Sequence, residues 1–356
     1  MPERTIFLAI ISALLIHQFS HSVIDPRIEA ALSAKEALQN PRDVQGFILV
    51  SDLDHDSRHP VKQEWKALVQ HGELQRTGAG RFRISFGRVE RFKSYASFKN
   101  RSLELSEAVV YGGKLLAMCD VSGTVYELDL AEVRLAVFSQ HMFVGEGLTD
   151  KPFKTEWATV HDGDLLLGSI GKEWVQNRQI TGFGPVFIKR LRPNPITGQL
   201  SVLDEDWGSR FARLREATNT TWPGYLLHEA IEFDPLNRRW LVLPRRVSSV
   251  MYDPDDDEYQ GGNLLLLASE DFVHVQVKTV GKIEPEWGFT SLSIIPGSDG
   301  RQFIVVKARE AAGVTESKVS VIDDEGRFLL DPVSHPTGWA FPTEEITAKY
   351  EGVVLI

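Results

Sequence analysis

The chain has 356 residues, with 39 basic and 49 acidic side chains and a net charge of −10 at pH 7. This acidic excess leaves no uniformly basic surface to follow a phosphate backbone, which argues against nucleic acid as a partner. The single cysteine, Cys119, excludes an intramolecular disulfide, so stability must come from core packing or a bound ion. The length allows several domains, but it also suits one β-propeller, whose blades stack side by side, and we expect a single domain.

Residues 1–22 have the pattern of a secretory signal peptide. Arg4 precedes an apolar run at residues 6–16, and small or polar residues follow. The run is too short to span a bilayer comfortably, so cleavage would leave no stable membrane span, and an uncleaved signal anchor is the alternative. We therefore expect a secreted or lumenal protein, and the glycosylation sequons at Asn100 and Asn219 fit that location.

Residues 23–42 are rich in Ala and Glu with helical spacing and proline breaks, and we predict a loosely attached leader. The propeller domain then spans residues 43–356. Its first strand, residues 46–50, is followed by acids at alternate positions, Asp52, Asp54 and Asp56. An extended chain would project them toward one face, which suits a metal or a phosphate-bound water, and a solvated loop is the equal alternative.

Residues 64–70 and 83–92 supply two further strands, and a complete blade follows them. Between residues 106 and 138, short apolar strands alternate with glycine-containing turns, as expected for an antiparallel sheet. We predict its strands at residues 107–111, 114–119, 124–128 and 133–138. Cys119 is predicted to be a packed core residue. Asp120 ends the same strand, where a turn-forming role is the alternative to a place in a functional site.

The third repeat contains FKTEWATVHDGDLLLGSIGKEW at residues 153–174, which reads as strand, tight turn, strand and loop. An insertion at residues 205–225 follows and is predicted to hold a helix at residues 209–217. Beyond it, Arg245 and Arg246 stand at a strand exit, where guanidinium groups suit bidentate capture of phosphate oxygens. Surface salt bridges are the alternative for at least one of them, because neighbouring side chains of a strand face opposite ways.

The acidic segment YDPDDDEY at residues 252–259 is predicted to be a solvated loop, with calcium binding as the weaker alternative. Strands resume after it. The last of them, residues 352–356, is too apolar to remain an exposed edge. We predict that it is the innermost strand of a blade completed by residues 46–50 and the 64–92 segment. This pairing closes the ring and brings the number of blades to five.

One pattern recurs through the repeats: an oxygen-bearing residue opens a β-branched strand. It occurs at quasi-regular intervals, at Ser106, Glu156, Glu229, Thr290 and Glu351. This repetition predicts an all-β protein, a five-bladed β-propeller in which each blade offers one ligand to a shared central site. Carboxylates brought to one axis repel one another without a cation, and hard oxygen ligands favour calcium over zinc.

Several motifs from about residue 46 to residue 356 resemble, in the same order, the soluble calcium-activated nucleotidase (apyrase) family: FKTEWATV, GSIGKEW, PGYLLHEA, LPRR, GGNLLL and KYEG. The resemblance implies a five-bladed propeller with Ca²⁺ in its central tunnel. It also implies hydrolysis of nucleoside di- and triphosphates, such as GDP, UDP, ADP or ATP, to monophosphates.

The same resemblance implies calcium ligands at Ser106, Glu156, Glu229, Thr290 and Glu351. The family usually has Ser where Thr290 stands, which favours a role for the backbone carbonyl there. Near the phosphates the resemblance places Asp52, Asp54, Asp120, Lys172 and Arg245. At Cys119 the family pattern often has a second Asp beside Asp120, and part of that acidic cluster is missing here.

From these residues we expect in-line attack of water on the terminal phosphorus without a phosphoenzyme. Asp52, Asp54 or Asp120 would orient the water, while Lys172 and Arg245 would bind the substrate phosphates. The competing interpretation is a non-catalytic propeller whose calcium staples the blades together while one face binds a protein or a glycan. A homodimer is compatible with either interpretation.

Overall fold

The computed structural model describes residues 26–139, 142–144, 151–194, 196–311, 313–334 and 348–356. Within these ranges, 22 strands form five four-stranded antiparallel sheets and one two-stranded hairpin. The sheets surround a common axis, which confirms the predicted five-bladed β-propeller. The predicted signal peptide lies outside the described residues. Among those described, no helix combines the length and the apolar character needed to cross a membrane.

Each blade is described from its innermost strand outward. The first blade contains β22 (Lys349–Leu355), β1 (Val44–Asp52), β2 (Trp65–Arg76) and β3 (Phe82–Ser94). The second contains β4 (Leu105–Tyr111), β5 (Lys114–Cys119), β6 (Thr124–Asp129) and β7 (Arg134–Ser139). The third contains β8 (Trp157–His161), β9 (Asp164–Gly168), β12 (Phe187–Pro193) and β13 (Leu200–Asp206).

The fourth blade contains β14 (Tyr225–Asp234), β15 (Arg239–Ser248), β16 (Leu264–Ser269) and β17 (Val275–Thr279). The fifth contains β18 (Trp287–Ile294), β19 (Gln302–Ala311), β20 (Val314–Asp323) and β21 (Phe328–Ser334). The separate hairpin is an excursion of the third blade, formed by β10 (Trp174–Gln176) and β11 (Gln179–Gly182). In the first blade, β22 pairs antiparallel with β1, so this sheet joins segments about 300 residues apart in sequence.

Apolar side chains of neighbouring blades pack face to face. Between the third and fourth blades, the core includes the rings of Trp157, Trp207 and Trp240, all less than 3 % exposed. Gly168 of β9 is paired with Trp157 of the neighbouring strand β8, and a Cβ atom on it would lie 1.8 Å from the indole ring. Only a glycine lets the ring approach the strand this closely. Cys119 is fully buried, as predicted for a core residue.

In the part of the chain that the structure describes, three α-helices accompany the strands: α1 (Pro26–Gln39), α2 (Gly208–Thr218) and the short α3 (Pro254–Asp257). Helix α2 confirms the helix predicted in the insertion. It buries Phe211 and Leu214, which lie three residues apart on one helical face, and it ends at Asn219 with φ of 56°. The helix therefore packs its apolar side against the propeller.

Helix α1 corresponds to the predicted leader and lies across one end of the propeller axis. Ala37 and Leu38 line a cavity there together with the carboxyl-terminal ends of the innermost strands. The amide of Gly297 donates to the Leu38 carbonyl at 2.7 Å, and Gly163 leaves room for the Arg27 backbone. The leader is thus attached to turns of two different blades, more firmly than expected, because its backbone fits against glycines.

Candidate active site

A charged cavity of about 370 Å³ lies at the opposite end of the axis, where the innermost strands begin. Nine acidic and five basic residues line it, an excess of four negative charges. Seven of the residues predicted from sequence are among them: Asp52, Asp54, Asp120, Glu156, Glu229, Arg245 and Glu351. The other predicted site residues, Ser106, Lys172 and Thr290, do not line this cavity, although all three are buried.

Three glutamates reach the cavity from three different blades. Glu156 directly precedes β8, Glu229 lies in β14 and Glu351 lies in β22, and each is at most 5 % exposed. The pairing of β14 with β15 is irregular on both sides of His228, a bulge that redirects the neighbouring Glu229. Burial raises the pKa of Glu156 well above its ordinary range and that of Glu351 to about 8, and the nearby Glu229 carboxylate adds to both shifts.

Basic side chains lie between these carboxylates. Arg245 donates from Nη1 to Glu229 and, at 2.9 Å, to Glu351 Oε1, and its Nη2 lies 3.5 Å from Glu310 Oε2. Lys154 Nζ donates to Glu156 Oε1 at 2.6 Å. The predicted ring of acids is therefore a network of alternating charges, because each glutamate has a basic partner.

Lys349 holds the two acids at the end of β1. Its Nζ lies 3.0 Å from both Asp52 Oδ2 and Asp54 Oδ2, and 3.5 Å from Glu351 Oε1. Burial acts to raise the pKa of Asp52, but the Lys349 ammonium and the Asp54 amide together hold it below its ordinary value. Burial and the neighbouring Asp52 raise the pKa of Asp54.

The expectation that three alternating acids share one face is wrong for Asp56. The strand ends at Asp52, and the chain continues into a single 3-10 turn at Asp54–Ser57. The Asp54 amide donates to Asp52 Oδ1 at 2.8 Å, which brings these two carboxylates together in the turn. Asp56 points to solvent because the chain is no longer extended there.

Asp120 lies in the turn after β5 and also lines the cavity. The two alternatives predicted for it, a turn residue and a residue of a functional site, are therefore compatible. Its Oδ2 lies 3.0 Å from Lys154 Nζ, while the buried Oδ1 has no hydrogen-bond partner among the described residues. Burial raises the pKa of Asp120 to about 6, and the negative charge of Asp52 contributes. A carboxylate with this pKa and a free oxygen can accept a proton near neutral pH.

Ser106 and Thr290 connect adjacent blades. The Ser106 hydroxyl donates to the Thr155 carbonyl at 2.5 Å, and the Thr290 hydroxyl donates to the Glu351 carbonyl at 2.8 Å. Both hydroxyl protons are thus used in bonds between innermost segments. These bonds fix the spacing of neighbouring blades directly beside Glu156 and Glu351.

Lys172 lies beside the rings of two tyrosines, Tyr225 and Tyr252. Its Nζ is 3.9 Å from the centroid of the Tyr252 ring and donates to the Glu173 carbonyl at 3.1 Å. Burial lowers its pKa to about 8. Tyr225 donates its hydroxyl to Asp257 Oδ1 at 2.5 Å. Asp257 ends α3 and lines the cavity, so the acidic segment predicted to be solvated contributes to the site.

Outside the acidic segment at residues 252–259, four charged residues of this site were not predicted from the sequence: Arg101, Lys154, Glu310 and Lys349. Arg246 had already been named as a candidate for phosphate binding. For two of the four a signal was present. Lys154 precedes Glu156 by two positions, and Lys349 precedes Glu351 by two positions. Residues two apart in an extended strand face the same side, so each motif places a lysine beside its glutamate.

The donor set fits a divalent cation of the calcium type. All candidate ligands are oxygen atoms, and they come from several blades, as the coordination of Ca²⁺ by about 6 to 8 oxygens requires. The raised pKa values of Glu156 and Glu351 show that these carboxyl groups are costly to ionise without additional positive charge. Asp52, Asp54 and Glu104 also have carboxylate oxygens within 4.8 Å of one another.

Comparison with known proteins gives a consistent result. The family model described as Apyrase matches residues 53–356. The chain is 32 % identical over 314 residues to "Soluble calcium-activated nucleotidase 1" of Mus musculus, covering 86 % of this chain and 73 % of that protein. It is 30 % identical to "Apyrase apy-1" of Caenorhabditis elegans, covering 80 % and 79 %, and 33 % identical to "Apyrase" of Cimex lectularius, covering 75 % and 69 %.

Proposed function

The chain belongs to the apyrase family, and from this premise we propose that it hydrolyses nucleoside di- and triphosphates to monophosphates and inorganic phosphate with the help of Ca²⁺. One observation carries the proposal. Carboxylates of several blades and five basic side chains converge on a single cavity at the axis. Such a cavity can hold a cation and a phosphate chain next to each other, which phosphoryl transfer requires.

We assign the cation to Glu156, Glu229 and Glu351, with Ser106 and the main-chain oxygen of Thr290 as the further ligands that the family resemblance implies. The carboxylates are buried, and the two hydroxyl bonds anchor the blades of Glu156 and Glu351 to the blades beside them, which supports a fixed position for the ion. When bound there, Ca²⁺ supplies charge neutralisation and orientation of the phosphate oxygens. Its removal by a chelator should therefore abolish turnover.

Asp120 is the proposed acceptor of the proton from the attacking water, with Asp52 and Asp54 orienting that water. Oδ1 of Asp120 is free to accept a hydrogen bond, and its pKa of about 6 suits a general base. The water oxygen forms a bond to the terminal phosphorus, and the anhydride P–O bond breaks. The bonding electrons leave with the bridging oxygen of the shorter nucleotide, and the water proton passes to Asp120.

Lys172 is the proposed contact of the substrate phosphates, and Arg245 is the proposed source of positive charge beside them. Lys172 is buried, and among the described residues its only hydrogen bond is to a main-chain carbonyl, so its ammonium keeps donors for a ligand. Arg245 shares its Nη1 between two glutamates and contributes positive charge next to the cation ligands. Together they would stabilise charge on the transferring phosphoryl group.

Phosphate release from GDP, UDP and ADP, measured with Ca²⁺ and with a chelator, tests the function. We expect release only with Ca²⁺, and a large loss of kcat in Asp120→Asn with calcium binding retained. Absence of release at every calcium concentration would support the alternative, a calcium-stapled binding module. Asp129→Asn is a suitable control, because Asp129 lies at the end of β6, accepts hydrogen bonds from the Ala131 amide and the Arg134 side chain, and does not line the cavity.

Secretion and homodimer formation remain proposals. Asn100 and Asn219 are both exposed, which allows a glycan at either sequon. Endoglycosidase treatment of the protein recovered from the medium of secreting cells tests the route. A measurement of molar mass in solution, with and without Ca²⁺, tests the oligomeric state.

A further inference from the structure

We infer that Arg246 binds a phosphate group in the charged cavity and that its neighbour Arg245 mainly braces the carboxylates. The anion site follows from the geometry alone, and only the identification of the anion as a substrate or product phosphate rests on the proposed function. The two arginines are adjacent in sequence and line the same cavity, yet their surroundings differ.

Arg246 is buried, and much of its guanidinium group lacks a hydrogen-bond partner among the described residues. The residue is 3 % exposed, and neither Nε nor Nη1 has a hydrogen-bond partner among the described residues. Nε forms an ion pair with Oδ2 of Asp257 at 3.7 Å, which is beyond hydrogen-bond distance. The other oxygen of Asp257 accepts the Tyr225 hydroxyl, which fixes that carboxylate in place.

Arg245 has the opposite environment. Its guanidinium forms ion pairs with Glu229, Glu310 and Glu351, which belong to three different blades. An arginine held by three carboxylates has little donor capacity left for a ligand. Arg245 therefore fits the role of a brace that keeps the glutamates at their spacing.

A buried guanidinium whose donors are only partly used is unfavourable, since arginine does not lose its proton in proteins. Burial and the adjacent positive charge of Arg245 both lower the pKa of Arg246, which shows the same cost. Almost all buried polar groups in native proteins have partners, so the free donors of Arg246 indicate a ligand that carries negative charge.

A phosphate group is the ligand that this geometry suits best. The planar guanidinium presents parallel N–H donors that match two oxygens of a phosphate. Arg246 faces the same cavity as the carboxylates assigned to the cation, so the anion and the cation would lie side by side. Lys172 adds a second buried positive charge, since it and Arg246 both interact with Asp257.

The test measures binding of inorganic phosphate and of Ca²⁺ separately, through the melting temperature of the full chain. In Arg246→Gln we expect the phosphate dissociation constant to rise about tenfold or more, as loss of charge-assisted hydrogen bonds implies. The calcium-induced rise in melting temperature should stay as in the wild type. In Arg245→Gln the calcium response should change, while phosphate affinity should change less.

Arg88→Gln is the matched control, because the Arg88 side chain is 66 % exposed, forms an ion pair with Glu90 and does not line the cavity. If Arg246→Gln does not fold, Arg246→Lys keeps the charge but not the fork, and it should lose part of the phosphate affinity. Unchanged phosphate affinity in both Arg246 variants would overturn the inference, as would a larger loss in Arg245→Gln.

Nucleotide turnover separates this inference from the proposed function. If the wild type binds phosphate through Arg246 but releases none from nucleotides, the function fails and the anion site stands. If Arg246→Gln hydrolyses nucleotides with the wild-type KM and kcat, the function stands and the anion site is not used by substrate. A raised KM with a smaller change in kcat is the expected result.

Discussion

Replacing Lys349 with methionine removes a buried ammonium group from the centre of the acidic cavity. Its Nζ lies within 3.5 Å of four carboxylates, those of Asp52, Asp54, Glu310 and Glu351. The Lys349 and Asp52 side chains are both 5 % exposed, so water cannot replace the lost partner. The Asp54 and Glu310 side chains are 42 % and 44 % exposed, and solvent screens their share of the loss.

Removing one member of a buried ion pair costs about 3–5 kcal/mol, because the remaining charge stays uncompensated. We expect the calcium-free variant to lose free energy of unfolding in this range at pH 8, which corresponds to a fall in Tm on the order of 5–10 °C. The variant should also gain more stability from Ca²⁺ than the wild type does, since a cation then supplies the missing charge.

The loss of unfolding free energy in Lys349→Met should depend on pH. In the wild type, Lys349 helps to hold the folded pKa of Asp52 below its unfolded value, so that stabilisation is present at neutral pH and is lost as the pH falls through the folded pKa. Without Lys349, burial should raise that pKa above the unfolded value. The deficit of the variant should then be small at pH 4 and grow as the pH rises.

Chemical unfolding at pH 5, 6, 7 and 8, with a chelator present, measures this dependence. Lys278→Met is the control, because Lys278 forms a more exposed ion pair with Glu325, of the kind worth about 0–1 kcal/mol. A loss of less than 1 kcal/mol in Lys349→Met at pH 8, or a deficit independent of pH, would refute the reasoning.

Three further predictions concern the base, the core and the cation. Asp120→Asn should remove the acidic limb of the pH profile of kcat/KM, which we expect near pH 6 from the raised pKa, and an unchanged profile would exclude Asp120 as the base. Gly168→Ala should lower the free energy of unfolding by about 1–3 kcal/mol or more, because its Cβ would lie 1.8 Å from the Trp157 ring. Gly182→Ala is the control, because the atom nearest to its Cβ is 3.7 Å away, and it should lower the free energy of unfolding by less than half as much. Glu229→Gln should reduce the free energy of unfolding that Ca²⁺ adds, which for the wild type is about 2.7 kcal/mol when the calcium concentration is 100 times Kd. An equal increase in the variant and the wild type, measured by calorimetry, would show that Glu229 does not bind the ion.

The fold could be predicted because its information is local and repeated. Each blade contains short apolar strands separated by turn residues, and the pattern recurs until five blades are complete. The glutamates of the cavity followed from the same repetition, since Glu156, Glu229 and Glu351 each belong to, or directly precede, the innermost strand of a blade. Periodicity determines such positions without knowledge of any contact between blades.

Pairing across the axis could not be predicted in the same way. Alternation along a strand suggested that Arg245 and Arg246 face opposite sides, but both line one cavity because the pairing of β14 with β15 is irregular nearby. Asp257 was expected in solvent, and its contact with Tyr225 depends on how α3 folds back over β14. These contacts join residues whose separation in sequence carries no periodic signal.

The pairing of β22 with β1 has a consequence for the time course of folding. Lys349 and Glu351 come from one of these strands and Asp52 from the other, so the charged cavity is complete only after segments about 300 residues apart have met. Closing so long a loop is entropically costly, and such contacts form slowly compared with hairpins inside a blade. Recovery of the active cavity during refolding should therefore lag behind the recovery of β-sheet structure, with the first blade as the slow step.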